Sequence, residues 1–92
     1  MKKLLFTKHA KNVIVKRKLD EPLIFNAVSA PDEVFLDRPS NLMVAIKRDG
    51  LALIVVYDVL NDRLEVVTAF KTSKLAKLIR SKVDKGRWVK VR

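Results

Sequence analysis

Ninety-two residues with twenty Lys and Arg, ten Asp and Glu and one His carry a net charge of +10, and 49% of the side chains are hydrophobic. A chain of this length forms one domain, residues 1–92, with a single core, and the apolar content excludes disorder. The lack of cysteine excludes disulfides and thiolate metal sites, and one histidine is too few for a protein-built zinc site, so no metal or cofactor is expected.

The charge is unevenly placed. Residues 1–18 and 71–92 hold sixteen of the cations and a single acid, Asp84, whereas residues 19–70 hold Arg38, Lys47, Arg48 and Arg63 against nine acids. The division is +7, −5 and +8 along the chain. Two basic ends around a mildly acidic, apolar middle suggest a surface for a polyanion. Met1-Lys2-Lys3 before Leu4-Leu5-Phe6 imitates the start of a signal peptide, but the apolar run stops at Thr7-Lys8-His9, short of an h-region. The longest apolar run, Leu51 to Tyr57, is far below the ~20 residues that span a bilayer. A soluble, cytoplasmic protein without a membrane partner is expected.

From Thr7, a plausible N-cap, Ala10, Val13 and Ile14 fall at helical spacing and predict a helix over about 7–18. Asp20-Glu21-Pro22 starts a second helix, with Asp as cap and Pro in the first turn. Leu23, Ile24, Ala27 and Val28 form its stripe, and Ser29-Ala30-Pro31-Asp32 ends it. The period then changes. Glu33–Asp37 reads as a short strand, Arg38–Asn41 as a turn, and Leu42–Arg48 and Leu51–Leu60 as strands around Asp49-Gly50, a type I′ hairpin signal. Asn61-Asp62 is a weaker copy of that signal before Arg63–Phe70. Leu64, Val66, Thr68 and Phe70 alternate with Glu65, Val67, Ala69 and Lys71, which suggests one lightly covered face. Leu51–Tyr57, apolar on both faces, reads as the central strand.

After Lys71 the helical period returns. Thr72 or Ser73 serves as cap, Leu75, Leu78, Ile79 and Val83 form the stripe, and Gly86 fits the C′ position. Arg87–Arg92 either returns as an edge strand or runs along the surface. The expected fold is α+β: two N-terminal helices, a three- to four-stranded antiparallel meander and a C-terminal helix, with the helices on one sheet face.

Two stretches carry a family resemblance. Thr7–Leu19, with His9-Ala10 followed by Arg17, resembles the opening helix of small BrnT- and RelE-like proteins. Val67-Thr68, Thr72-Ser73-Lys74, Leu78-Ile79 and Gly86-Arg87-Trp88 resemble the ending of an archaeal and bacterial subgroup of them. Where the family pattern often has another basic residue, this chain has Val13. The resemblance implies a RelE-like fold and a toxin of a toxin–antitoxin pair. It implies a metal-independent endoribonuclease acting on messenger RNA, in some cases on the ribosome, and neutralised by an acidic antitoxin protein.

Cleavage of that kind needs an activated 2′-hydroxyl, neutralised phosphate charge and a protonated leaving oxygen. His9, Lys71, Lys74 and Arg87 are the candidate catalytic groups, His9 as the side-chain type most often used for proton transfer. Tyr57 is the only tyrosine. Arg17, Lys47, Arg48, Lys77, Arg80 and Lys85 are candidate nucleic-acid contacts. Each has a plainer reading: His9 packing at a helix start, Arg17 paired with Asp20, Glu21 or Asp37, Lys47 and Arg48 as hairpin-tip charges, and the last helix's cations as a solvated face. Trp88 either stacks on a base or closes the core. The alternatives to a nuclease are a non-catalytic nucleic-acid-binding module and a protein-interaction domain. No Gly-rich phosphate loop, paired histidines or carboxylate cluster supports a nucleotide or metal hydrolase.

Overall fold

The computed structural model describes residues 3–92; Met1 and Lys2, part of the signal-like opening, lie outside the described residues. The chain runs β1 (Lys3–Phe6), α1 (Lys8–Lys16), α2 (Glu21–Ser29), β2 (Glu33–Asp37), β3 (Leu42–Asp49), β4 (Leu51–Val59), β5 (Arg63–Thr72), α3 (Leu75–Asp84) and β6 (Trp88–Lys90). This is an α+β architecture. The six strands form one sheet in the order β1-β5-β4-β3-β2-β6. β2 to β5 make the antiparallel meander that the alternation predicts.

Both ends differ from expectation. Leu4-Leu5-Phe6 forms a strand, paired in parallel with the start of β5 from Lys3↔Arg63 to Phe6↔Val66. The closing residues pair β6 antiparallel with β2, which is the edge-strand alternative. The expected order of two leading helices, meander and closing helix, and with it the RelE-like arrangement, is therefore not matched. The physical reason is that β1 is a short strand whose partner lies at the other end of the chain, so no local pattern marks it.

The helices also do not share one face. α1 and α2 cover the side that carries Ala45, Leu53, Val55, Tyr57, Val66 and Ala69. α3 covers the other side, where Leu75, Leu78 and Ile79 pack toward Phe35, Val44, Ile46, Ile54 and Trp88. Val83, expected in that stripe, is exposed. β4 supplies both cores, Leu53, Val55 and Tyr57 to one and Ile54 to the other, which is why its sequence is apolar throughout.

A bulge breaks the expected alternation of β5. Tyr57 pairs with Val66 and Val56 with Thr68, so Val67 is extra. Val66 and Ala69 consequently point into the same core, and Phe70 into the other. At Asp49-Gly50 only Gly50 has positive φ (70°) and the ladder continues to Asp49↔Leu51, so the turn is not type I′.

Thr7 caps α1 as expected, its Oγ1 accepting from the Ala10 N–H at 3.0 Å. Asp20 occupies the α2 cap position without a side-chain hydrogen bond to the helix. At α3 the cap position falls to Lys74 rather than Thr72 or Ser73; Thr72 closes β5 and its Oγ1 accepts from the Lys74 N–H at 3.0 Å.

Two helices end in the same motif with different residues. Beyond α1, Leu19 N–H donates to Ile14 O (2.9 Å) and Lys18 N–H to Val15 O (3.2 Å); beyond α3, Arg87 N–H donates to Lys82 O (2.9 Å) and Gly86 N–H to Val83 O (2.9 Å). Both are Schellman closures, with φ of 53° at Lys18 and 69° at Gly86. Only glycine adopts this region without steric cost. Lys18→Gly is expected to stabilise the fold by about 1 kcal/mol. That corresponds to roughly 4–8 °C in Tm at this size. Gly86→Ala should cost a similar amount, from the backbone alone, because a Cβ there meets nothing within 4 Å. Thermal unfolding by circular dichroism checks both, and the opposite signs are the diagnostic.

Candidate nucleic-acid interface

Ion pairing follows the charge division of the chain. Among the described residues four cations form ion pairs: Lys47 with Asp32 (3.9 Å), Arg48 with Glu33, Arg63 with Asp62 (3.0 Å) and Lys90 with Glu33 (3.4 Å). Three of the four belong to the acidic middle. The remaining described cations of the two ends have no acid within ion-pair distance, so their charge is left for whatever meets the surface.

These ends meet at β5. β1 pairs only with Arg63–Val66, so the outer edge of β5 beyond Val66 has no strand partner. α1 covers part of it: Thr7 Oγ1 donates to Val67 O at 3.4 Å and Arg17 Nη1 to Ala69 O at 2.7 Å. Arg17 is thus tied to a backbone carbonyl, not to Asp20, Glu21 or Asp37. One of its five donors is used and the others remain free for a phosphate. Lys71 follows two residues later on the same strand, and Lys74 begins α3. The +7 segment and the +8 segment come together around this open half-edge, which also fits the use of Lys and Arg to guard unpaired strands.

Lys71 borders two hollows. On the α3 side an open groove of about 400 Å³ is lined by Lys71, Lys74 and Lys77, with Phe70, Thr72 and Leu78 beneath. On the α2 side a more enclosed pocket of about 240 Å³ is lined by Lys71, Lys47 and Arg48 together with Asn26 and three leucines. No sequence pattern singled out Phe70 as part of a site. Its face depends on the bulge at Val67, which inverts the apparent alternation.

The other candidates lie elsewhere. His9 is exposed in the first turn of α1, and its imidazole makes no hydrogen bond or ion pair among the described residues. α1 starts where Thr7 N–H meets Val66 O, so roughly 15 Å of strand separates that point from Lys71. Arg87 lies past the far end of α3, its carbonyl accepting from Arg38 N–H at 2.7 Å. The helix holds it about 15 Å from Lys74. The four proposed catalytic side chains are therefore not gathered at one point: Lys71 and Lys74 are together, His9 and Arg87 apart from them. Arg80 and Lys85 are exposed along and beyond α3. Lys47 is further tied by a 2.8 Å hydrogen bond to Ala30 O, and Arg48 N–H donates to Asp32 Oδ2 at 2.6 Å. Both hairpin cations therefore have local partners.

Tyr57 is buried in the α1/α2 core, away from the groove, and burial pushes its hydroxyl pKa up while the Arg92 charge pulls the other way. Trp88 closes the α3 core: it is 5% exposed, its ring centre lies 5.3 Å from that of Phe35, and Nε1–H donates to Asp37 Oδ1 at 3.0 Å.

Among the described residues no group of three or more His, Asp or Glu side chains is placed to hold a metal ion, and no helix is long and apolar enough to cross a membrane. No family model matches the chain, and no match was found among curated proteins or solved structures. Fold and surface together define a mixed-sheet α+β domain with a cationic, half-open strand edge.

Proposed function

We propose that this protein binds RNA, with the phosphates of the strand held by Arg17, Lys71, Lys74 and Lys77 around the open half of β5 and by Arg80 farther along α3. The observation that carries this reading is the segregation of ion pairs: among the described residues Asp32, Glu33 and Asp62 pair with Lys47, Arg48 and Arg63 of the middle and with Lys90, and the cations at the β5 edge have no acid partner. The choice of RNA rests on the resemblance to RelE- and BrnT-like proteins. Phosphate contacts of this type release counterions, so affinity for a single strand falls with a log–log salt slope of roughly −0.7 per contact. Five contacts predict a slope of about −3.5 in a fluorescence anisotropy titration. Absence of binding at low salt sinks the proposal.

A second reading is a toxin-like, metal-independent endoribonuclease acting on messenger RNA in the cytoplasm and covered by an acidic antitoxin. What favours it is that Lys71 and Lys74 line one groove, so one ammonium group is available to neutralise a scissile phosphate and the other to protonate the leaving oxygen, while the attacking 2′-hydroxyl gives its proton to solvent water. His9 and Arg87 have no part in such a centre. Expression of the wild type should arrest growth and cleave messenger RNA, and Lys71→Ala/Lys74→Ala should abolish both effects. Normal growth and intact messenger RNA with the wild type would leave binding alone.

A further inference from the structure

The pocket on the α2 side shares Lys71 with the RNA reading but has a geometry of its own. Lys47 pairs with Leu53 across β3 and β4, and Leu53 pairs with Lys71 across β4 and β5. Directly paired residues share a sheet face, so the three side chains form one row, Lys–Leu–Lys, facing α2. Leu53 is 4% exposed and makes the floor. Two strand spacings put the lysine Cα atoms about 10 Å apart. Ammonium groups on four-carbon stems can both reach an anion seated above the leucine. Lys47 is held in place by Ala30 O at 2.8 Å, with Asp32 at 3.9 Å, and keeps donors to spare. Lys71 has no acid within ion-pair distance.

The rest of the lining divides by chemistry. Leu23 on α2 and Leu51 on the hairpin supply apolar walls, and Asn26 supplies an amide. The Arg48 guanidinium is engaged by Glu33, and Asp49 is the one acid of the lining. Two ammonium groups approaching from opposite sides match a tetrahedral dianion better than a carboxylate, whose oxygens face one way. About 240 Å³ is room for roughly eight waters at liquid volume, enough for a phosphate and a single ring.

We infer that this pocket binds a small phosphomonoester, its phosphate bridged by Lys47 and Lys71 above Leu53 and its apolar body set between Leu23 and Leu51. Phenyl phosphate is the probe. In methyl-detected NMR of the whole chain, Leu23, Leu51 and Leu53 should shift together and saturate with a Kd of about 1 mM or tighter, the range open to a fragment of this size. Inorganic phosphate, phenol and benzoate should each bind at least about tenfold more weakly, since the first lacks the ring, the second the anion and the third the tetrahedral dianion. Leu51→Trp, at a half-exposed wall position, should fill the mouth and abolish phenyl phosphate binding while leaving RNA affinity unchanged. Leucine methyls that do not move with phenyl phosphate, or benzoate binding equally well, overturn the inference without touching the RNA reading. Loss of RNA binding with an intact phenyl phosphate site does the reverse.

Discussion

Reversing Lys71, Lys74 and Lys77 together to Glu is expected to lower affinity for single-stranded RNA by about a hundredfold or more near 0.1 M salt. Each exposed lysine–phosphate contact is worth about 1 kcal/mol at close range in water. Three lost contacts therefore come to about 3 kcal/mol, or two powers of ten, before the repulsion of the new carboxylates is counted. The salt slope should flatten by about 2, because three fewer counterions are released. None of the three ammonium groups makes a hydrogen bond or ion pair among the described residues, so the fold should hold to within about 0.5 kcal/mol. The control is reversal of Lys85, Arg87 and Arg92, which changes net charge by the same amount but lies beyond the far end of α3 or, for Arg92, beside Val34 at the opposite edge of the sheet. It should cost less than about tenfold through the general field alone. Equal losses from both triples would mean that the charge acts as a diffuse cloud and that the β5 edge is not a site.

How much of this was legible in the sequence depends on the range of the interaction that decides each feature. The meander and the α1 cap rest on local signals, alternation and turn residues in one case and Thr7 three residues before Ala10 in the other, and both are found where those signals lie. Gly86 marks its helix end for the same reason, whereas Lys18 performs the same backbone turn with no signature at all. β1 was illegible because its strand identity comes from a distant parallel partner. The two-sided covering was hidden by the bulge at Val67, which shifts the alternation of β5 midway and makes two covered faces look like one. Charge segregation pointed to Lys71 and Lys74, but a count of charges has no geometry. Arg17 finds a carbonyl rather than any acid offered by its neighbours, and the row Lys47–Leu53–Lys71 exists only once the register of three strands is known. Helix length separates Arg87 from Lys74, although sixteen of the twenty cations sit in the two ends.

Trp88→Ala is expected to cost about 3–5 kcal/mol, a large share of the 5–15 kcal/mol that holds a small domain together. The ring is the largest apolar group of the α3 core, it packs on Phe35 at 5.3 Å, and α3 itself contributes no fully buried residue that would close the gap. Trp88→Phe tests the polar half separately. It keeps an aromatic ring but removes the indole N–H that donates to Asp37 Oδ1 at 3.0 Å, a bond to a charged acceptor worth about 1.5–3 kcal/mol. Burial alone would raise the Asp37 pKa, but the Ser40 hydroxyl and backbone N–H, the Trp88 indole and the Lys82 charge outweigh it and hold the carboxyl below its usual range. The folded state therefore binds this proton less readily than the unfolded chain does. Its contribution is complete above the ordinary carboxylate value near 3.9 and is lost as pH falls through the lower folded value. Removing the indole donor removes part of that contribution. The stability gap between wild type and Trp88→Phe, measured by urea unfolding with far-UV circular dichroism, should accordingly be widest at pH 7 and should narrow below pH 4. A gap that stays constant from pH 7 to pH 2.5 would show that the indole acts through packing alone and that Asp37 is held by Ser40 and Lys82 without it.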